Sequence, residues 1–356
     1  MSSDKVKTLT KNQLFLPFAM MMLVLLINLI KSPDFFAINI QNGVLYGRII
    51  DILNRGSEIA ILAVGQTLVV AVSAGTDISV GSVMSLTACG TCMLLAGYGV
   101  NSTTTLAVPL VVGLLFGLVL AMCCGAFNGF LVSKLNIQPM VATLILFTAA
   151  RAIGILLCNN QITYIRYEPY KYFGNFIPGC PVPTAIFITI VVVSIVMLFL
   201  KKTAMGLYIQ SVGINKKAAR ISGLNSGNIC FMCYLICGLC AGIAGIVASS
   251  RIYSADSNNI GRNYELDSIL AVALGGNSLG GGRFNMAGSI IGAYTIQAIT
   301  VTLLAMGVST DQAPVVKAII VVLIVTAQAP AFKALLAERK AKKLVQEKET
   351  HNKEAA

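Results

Sequence analysis

The sequence predicts an all-α, polytopic integral membrane protein with about ten transmembrane helices and with both termini in the cytoplasm. Of its 356 residues, 56% are hydrophobic and 11% are charged, whereas a soluble domain carries roughly 25% charged residues because its surface meets water. The apolar residues also form long blocks, such as 14–30 and 184–200, which are long enough for a helix to cross the hydrocarbon core. A β-barrel would instead show alternating segments of about ten residues.

Clusters of positive charge predict which side of the membrane each loop occupies. The formal net charge is +12, but the Lys and Arg residues flank the apolar blocks, so nucleic acid is not an expected partner. The clusters lie before residue 12, between residues 201 and 220, and from residue 333 onward. The positive-inside rule predicts a cytoplasmic N-terminus at 1–13, a transmembrane domain at 14–332 that contains a cytoplasmic loop at 201–226, and a charged cytoplasmic tail at 333–356.

The apolar blocks predict the individual spans. The first block follows lysines, as in a cleavable signal, but it is long and no small-x-small pattern follows it, so we predict an uncleaved span. Residues 35–54 are semi-polar and predict an amphipathic segment on the outer face. The block at 266–280 is short, and its alternative is a re-entrant hairpin. The predicted spans are 14–30, 57–74, 81–97, 106–131, 137–157, 183–200, 227–250, 266–280, 284–304 and 313–332.

Two glycine-rich segments, Ala71–Gly81 and Ala273–Arg283, interrupt apolar blocks. Broken helices at matching points of two halves mark the transport path in repeat-built transporters, although the two halves here are only weakly similar. In the first segment, Asp77 is predicted to accept hydrogen bonds in the turn and to cap a helix that begins near Ser79. The alternative role for Asp77 is a proton carrier, which would make the protein a secondary transporter.

Other polar or reactive side chains lie within predicted spans. Arg151 follows the helix start at Pro139 and is expected to pair with an acidic group, because an unpaired buried charge is costly. Four cysteines lie on one face of a predicted helix. Four sulfurs on one straight helix cannot surround a tetrahedral ion, so we predict a tightly packed helix–helix seam instead. These four residues are Cys230, Cys233, Cys237 and Cys240.

The residues that the chain lacks restrict its chemistry. It contains no G-x-x-x-x-G-K-[ST] motif and no Gly-Lys dipeptide, so it cannot build the loop that cradles nucleotide phosphates. Any ATP must therefore be hydrolysed by a partner. The one histidine, His351, lies in the polar tail. We expect no catalytic residue, no metal site and no cofactor.

The cytoplasmic loop contains a short predicted helix. Asn215 is suited to cap a helix at 216–222, which Gly223 then terminates. A short helix between two spans is suited to dock into a groove on a soluble partner. The alternative is an ordinary surface loop.

Three segments resemble the signatures of one transporter family. Residues 202–225 resemble the segment through which ABC permeases of the ribose/galactose import family couple to their ATPase. Their sequence is KTAMGLYIQSVGINKKAARISGLN. AVSAGTDISVG, at 71–81, resembles the family's first helix break, with departures at Ala74 and Thr76. YELDSILAVALGGNSLGGG, at 264–282, resembles its third signature. The matching residues are Thr203, Gly206, Ser211, Gly213, Asn215, Ala218, Ala219, Arg220, Ser222 and Gly223; Gly75, Asp77, Ser79, Val80 and Gly81; and Glu265, Leu266, Asp267, Gly275, Gly276, Ser278, Leu279, Gly281 and Gly282.

Within this family, four shorter stretches resemble the galactofuranose-type permeases: residues 50–55, 137–146, 255–259 and 281–285. The resemblance implies a non-catalytic permease subunit of an ABC importer for a monosaccharide in the bacterial plasma membrane. It also implies a cytoplasmic ABC ATPase, a second permease subunit (self or paralogue), an extracytoplasmic sugar-binding protein and membrane lipid as partners. The alternatives are an ion-coupled secondary transporter and an ABC permease for branched-chain amino acids.

A neutral sugar requires hydrogen-bonding side chains without strong fixed charge along its path. Amide and hydroxyl side chains in or beside spans are therefore candidates, although the same groups also form ordinary hydrogen bonds between helices. The candidates are Gln66, Asn128, Gln138, Thr143, Asn285 and Gln297.

Overall fold

The computed structural model describes residues 14–31, 33–41 and 43–328, and most of them are helical. Within these residues, six helices have the length and apolar composition needed to cross a membrane, which confirms a polytopic helical membrane protein. The helices are α1 (Phe15–Lys31), α2 (Arg48–Ser73), α3 (Val80–Ala96), α4 (Leu110–Ser133), α5 (Pro139–Leu157), α6 (Glu168–Lys171), α7 (Thr184–Lys202), α8 (Met205–Ile214), α9 (Lys216–Ile221), α10 (Ser226–Ile252), α11 (Tyr264–Leu274), α12 (Met286–Ala305) and α13 (Ala313–Gln328).

Two small sheets depart from the all-α prediction. The first is an antiparallel pair in which Asn39 lies opposite Tyr46, and the second has the strand order β3-β4-β5. β3, β4 and β5 come from the three loops that follow α3, α5 and α10, all of which are predicted to lie outside. The sheet therefore joins these loops on one side of the bundle. The strands are β1 (Asn39–Gln41), β2 (Val44–Tyr46), β3 (Ser102–Thr103), β4 (Thr163–Ile165) and β5 (Ser254–Ala255).

Two predicted boundaries are wrong. The second predicted span begins too late: residues 48–54, predicted as part of an amphipathic segment on the outer face, form the first turns of α2, and Ile50 and Ile52 pack into the bundle. The block at 266–280 is not a span, since α11 has 11 residues and is about 16 Å long at 1.5 Å per residue. That length covers about half of the hydrocarbon core. The predicted segments 1–13 and 333–356 lie outside the described residues.

α2 and α10 form the centre of the bundle. In α2, 94% of an 18-residue apolar stretch is buried inside the protein, whereas the buried share of the corresponding stretch is 22–28% in α4, α5 and α7. A Cβ atom added at Gly238 would lie 2.8 Å from the Cα of Gly125, and one added at Gly65 would lie 2.8 Å from the Cα of Cys237. These close approaches join α10 to α4 and to α2 and confirm the predicted seam of small residues. The four α10 cysteines are buried in it.

The chain divides into two compact units after Gly307. The first unit contains α1 to α12, and the site described below lies within it. The second contains α13, an apolar helix of 16 residues.

Candidate functional site: two helix breaks and the cytoplasmic helices

The first break is the turn between α2 and α3. Ala74 ends α2 with a φ angle of 52°, in the left-handed region that reverses a helix end. One carboxylate oxygen of Asp77 accepts hydrogen bonds from the backbone N–H of Ser79 at 2.8 Å and from its hydroxyl at 2.6 Å. This confirms that Asp77 stabilises the turn. The residue in the N-cap position of α3 is Ser79 itself. Asp77 therefore stabilises the turn two residues before the cap and is not the cap.

Gln66 and Asn128 hold this turn from neighbouring helices. The amide of Gln66 is oriented so that its nitrogen donates to the carbonyl of Asp77 at 3.2 Å and its oxygen accepts from the N–H of Asp77 at 3.0 Å. Asn128 donates to the hydroxyl of Ser79 at 2.9 Å. Irregular backbone at membrane depth needs such internal partners. The contacts give both side chains a role between helices, and their place on a sugar path stays a prediction.

α5 supplies the other support of the first break. The hydroxyl of Thr143 accepts a hydrogen bond from the backbone N–H of Ile78 at 3.1 Å. A Cβ atom added at Gly75 would lie 2.6 Å from the Cβ of Pro139, so only glycine allows this approach. Gln138, the residue in the N-cap position of α5, is exposed. It faces a cavity of about 260 Å³ between the break and the cytoplasmic helices.

The second break, between α11 and α12, is held by Asn277. Its amide nitrogen donates to the carbonyl of Val272 at 3.1 Å, to the carbonyl of Asn285 at 3.3 Å and to the hydroxyl of Ser289 at 2.8 Å. Its oxygen accepts from the N–H of Asn285 at 2.5 Å. Asn285 in turn caps α12 by accepting from Gly288 at 3.2 Å. Sequence reasoning named the glycines around Asn277 and missed Asn277 itself, although an amide between glycines is a recognisable turn signal.

We expect Asn277→Ala to lower the free energy of unfolding by about 1–3 kcal/mol, because several buried backbone and hydroxyl groups would lose their partner. Thermal or denaturant unfolding of the purified protein in detergent measures the change. The neighbouring variant Ser278→Ala is the control, since Ser278 is exposed and accepts one hydrogen bond, from Gly280. Equal stability of the two variants would contradict the role of Asn277.

The two breaks meet, and α8 packs on the point where they meet. The backbone N–H of Gly282 donates to the carbonyl of Ala71 at 2.9 Å. Gly281, with a φ angle of 82°, lies beside Ala74. A Cβ atom added at Gly213 of α8 would lie 1.8 Å from the oxygen of Ala71 and 2.7 Å from the nitrogen of Gly282. We call the point where Gly213 of α8 contacts both Ala71 and Gly282 the junction.

The segment that is predicted to be cytoplasmic forms two helices, α8 and α9, where the sequence predicted one. The side chain of Asn215 accepts from the backbone N–H groups of Lys217 and Ala218, both at 3.0 Å, which confirms the predicted cap. Gly223 has a φ angle of 84° and follows the end of α9, as predicted. α8 was missed because the residue in its N-cap position is Ala204, which has no side chain that can cap a helix.

The two helices have a packed face and an exposed face. Ile209, Val212 and Ala219 are buried. Leu207 and Ile221 point the other way, with exposed fractions of 70% and 88%. This exposed apolar face is available for contact with a partner. Among the remaining predicted coupling residues, Thr203 and Arg220 are exposed, and an added Cβ at Gly206 would lie 2.8 Å from the carbonyl of Leu200.

The remaining signature residues position α11 and α12. An added Cβ at Gly275 would lie 2.5 Å from the carbonyl carbon of Gly288, so these helices touch through their backbones. Gly276 has a φ angle of 80°, which continues the break. Gly81 faces the buried carboxylate of Glu265, and Asp267 is also buried.

Gln297 lies apart from the other path candidates. It is buried on α12, where it faces Gly56 of α2; a Cβ added at Gly56 would lie 3.4 Å from its Cβ. The structure therefore does not bring all six candidates into one site.

The prediction that Arg151 pairs with an acidic group is wrong. Within the part of the chain that the structure describes, the guanidinium hydrogen-bonds to backbone carbonyls instead. It donates to the backbone carbonyl of Ser257 at 2.7 Å and to those of Asn258 and Ile260 at 3.4 Å. These carbonyls belong to the irregular chain between β5 and α11. Because that chain lacks helical partners for its carbonyls, a donor must come from elsewhere.

A buried ion pair was also missed. The guanidinium of Arg251, at the end of α10, lies 2.5 Å from one carboxylate oxygen of Glu58 in α2 and donates to the other at 3.3 Å. The two residues are 193 positions apart, so no local signal could pair them.

Comparison with known proteins agrees with this architecture. A family model described as "Branched-chain amino acid transport system / permease component" matches residues 48–327, which include both breaks and the cytoplasmic helices. The chain belongs to this family. The family consists of permease components of transport systems, which are not catalytic subunits.

Several curated relatives in the family cover nearly the whole chain. The galactofuranose transporter permease protein YtfT of Escherichia coli K12 is 40% identical over 89% of this chain and 89% of its own. The fructose import permease protein FruF of Bifidobacterium longum is 36% identical over 95% and 94%, and the ribose import permease protein RbsC of Escherichia coli K12 is 35% identical over 86% and 90%. These matches confirm the resemblance to sugar permeases, the galactofuranose type among them. No solved structure matches significantly.

Proposed function

We propose that the chain is the translocation subunit of an ABC importer that moves a monosaccharide across a bacterial plasma membrane. A separate cytoplasmic ATPase docks on α8 and α9, a second permease subunit completes the channel, and an extracytoplasmic sugar-binding protein delivers the cargo. The observation that carries this proposal is the packing of α8 on the junction of both breaks. A partner that moves α8 therefore acts directly on the two interrupted helices.

The junction supports a mechanism for alternating access. Closure of the ATPase pair displaces α8 and α9, and the contact of Gly213 with the carbonyl of Ala71 passes this displacement to the end of α2. The hydrogen bond from Gly282 to Ala71 links the second break to the same point. Breaks at the ends of α2 and α11 allow these helices to reorient without the loss of backbone hydrogen bonds within them.

The cargo class is inferred from the relatives. Those compared above are permeases for galactofuranose, fructose and ribose, which supports a monosaccharide, with a galactofuranose-like sugar as the first candidate. The family description names branched-chain amino acids, so these are the second candidate. The ATPase activity of the assembled importer decides between them, since it is expected to rise with the sugar-loaded binding protein and not with leucine, isoleucine or valine.

We expect the chain reconstituted alone in liposomes to accumulate no sugar, and the same chain with its ATPase, ATP and binding protein to accumulate it. Asp77→Asn should retain uptake in the assembled importer, because the amide oxygen can still accept the hydrogen bonds from Ser79 that hold the turn. Radiolabelled sugar uptake measures both. Uphill uptake by the lone chain that is lost in Asp77→Asn would establish an ion-coupled secondary transporter instead.

A further inference from the structure

The ion pair between Glu58 and Arg251 lines a cavity of about 130 Å³. Its walls come from α2, α3, α10 and the chain at 259–264. Tyr264 and Asn259 add a phenol and an amide, and Met84 contributes an apolar wall. Glu58 has no exposed side-chain surface, whereas Asn259 is exposed and stands at the cavity mouth. The two helix breaks and the cytoplasmic helices do not account for this buried charged cluster.

We propose that Glu58, Arg251, Tyr264 and Asn259 form a subsite that binds the hydroxyl groups of a neutral monosaccharide during transport. The proposal rests on the proposed function and adds to it a place where the cargo is held. None of the six path candidates predicted from the sequence contributes to this cavity.

The chemistry of the four side chains suits a sugar. A guanidinium has five N–H donors and a carboxylate has about four acceptor positions, so the two contacts of the ion pair leave both donors and acceptors for a ligand. The hydroxyl of Tyr264 contacts both Glu58 and Arg251, and a hydroxyl can donate one hydrogen bond and accept two. Each hydroxyl of a sugar also donates and accepts, so a mixed set of groups matches it. The amide nitrogen of Asn259 donates to Asp256 at 2.5 Å, so its oxygen is the atom we assign to the ligand.

The charge of the cluster favours a ligand without net charge. Glu58 and Arg251 neutralise each other within the cavity, so a neutral ligand leaves the pair intact. An anion would be repelled by the buried carboxylate, and a cation would be repelled by the guanidinium, and either would have to break the pair in a low-dielectric setting.

The position of the cavity suits a cargo that arrives from outside. Arg251 lies three residues before β5, which joins the sheet of the predicted outer loops. Glu58 lies in the half of α2 that begins at the same side. The cavity is therefore on the side of the junction away from α8, where a delivered sugar would bind before the breaks move.

The test uses the complete importer in liposomes, with its ATPase and binding protein, and labelled D-ribose, D-fructose and D-galactose. For whichever sugar the wild type imports, Tyr264→Phe is expected to raise the KM of uptake about tenfold, because one hydrogen bond to the ligand is worth about 1.4 kcal/mol. Tyr98→Phe is the matched control, since Tyr98 is exposed in another outer loop. Uptake by Tyr264→Phe with an unchanged KM would overturn the subsite and leave the proposed function standing.

A second measurement does not depend on uptake by the variant. In Asn259→Cys, alkylation at position 259 by a small thiol reagent is followed by mass spectrometry of the labelled peptide, with and without the imported sugar. The sugar is expected to slow this alkylation severalfold and to leave alkylation of the half-buried Cys180, in the loop before α7, unchanged. Equal rates with and without sugar would overturn the subsite. Import of none of the three sugars by the wild type would overturn the proposed cargo, and the subsite with it.

Discussion

Replacement of Gly213 by alanine is expected to abolish sugar uptake by the assembled importer. The added Cβ would lie 1.8 Å from the oxygen of Ala71 and 2.7 Å from the nitrogen of Gly282, and both are backbone atoms that cannot rotate away. α8 must therefore move off the junction, or the hydrogen bond between Gly282 and Ala71 must break. Either change disconnects the cytoplasmic helices from the breaks. Labelled sugar uptake measures the loss, and ATP hydrolysis by the complex should continue without transport.

Gly280→Ala is the matched control for this prediction. It makes the same chemical change in the second break, but its added Cβ would have the hydroxyl of Ser278, at 3.4 Å, as its nearest contact. We expect this variant to transport like the wild type. The amount of each variant in the membrane and its co-purification with the ATPase separate loss of coupling from loss of folding. Normal uptake by a well-folded Gly213→Ala importer would refute the transmission of motion through the junction.

Ile221→Glu is expected to abolish co-purification of the ATPase. Ile221 is 88% exposed at the end of α9 and faces away from the bundle. If it enters an apolar pocket of the ATPase, a buried carboxylate in its place would cost about 2 kcal/mol or more, which is about thirtyfold in affinity. Affinity purification of the permease from membranes, followed by quantification of the ATPase, measures the effect.

The control for this substitution is Ile177→Glu. Ile177 is 44% exposed and lies in a loop predicted to be outside, so the same charge is introduced away from the docking surface. We expect wild-type amounts of ATPase to co-purify with this variant. A separate variant, with a bulky residue in place of the buried Ala219, tests the packed face of α9. It should reduce uptake, because the larger side chain disturbs the packing of α9 against the bundle. Full ATPase recovery with Ile221→Glu would show that the exposed apolar face is not the docking surface.

Several local features of the site could be predicted because short stretches of chain determine them. The cap at Asn215 requires an amide followed by two free N–H groups in the first turn of a helix, and all three positions are adjacent in sequence. The turn at Asp77 likewise depends on a carboxylate two residues before Ser79. Glycines predicted both breaks. In the second break Gly276 has a positive φ angle, which glycine adopts readily, whereas in the first break the residue with the positive φ angle is Ala74.

Contacts between distant segments could not be predicted in this way. Glu58 and Arg251 are each unremarkable in sequence, and only the packing of α2 against α10 brings them together. The prediction for Arg151 failed because a buried guanidinium can be satisfied by backbone carbonyls as well as by an acid. The chain that supplies those carbonyls reads as an ordinary outer loop. Asn277 was missed because its partners only converge once α11 and α12 pack together.

By itself, the sequence determined that this protein is a polytopic helical membrane protein without a nucleotide-binding loop, since apolar block length and charge distribution are properties of the chain alone. The tertiary structure decided which polar groups support the breaks, how α8 reaches them, and where the buried ion pair lies. The physical reason is that, within lipid, each interrupted backbone segment must find hydrogen-bond partners inside the protein. Those partners come from whichever helix happens to pack beside it.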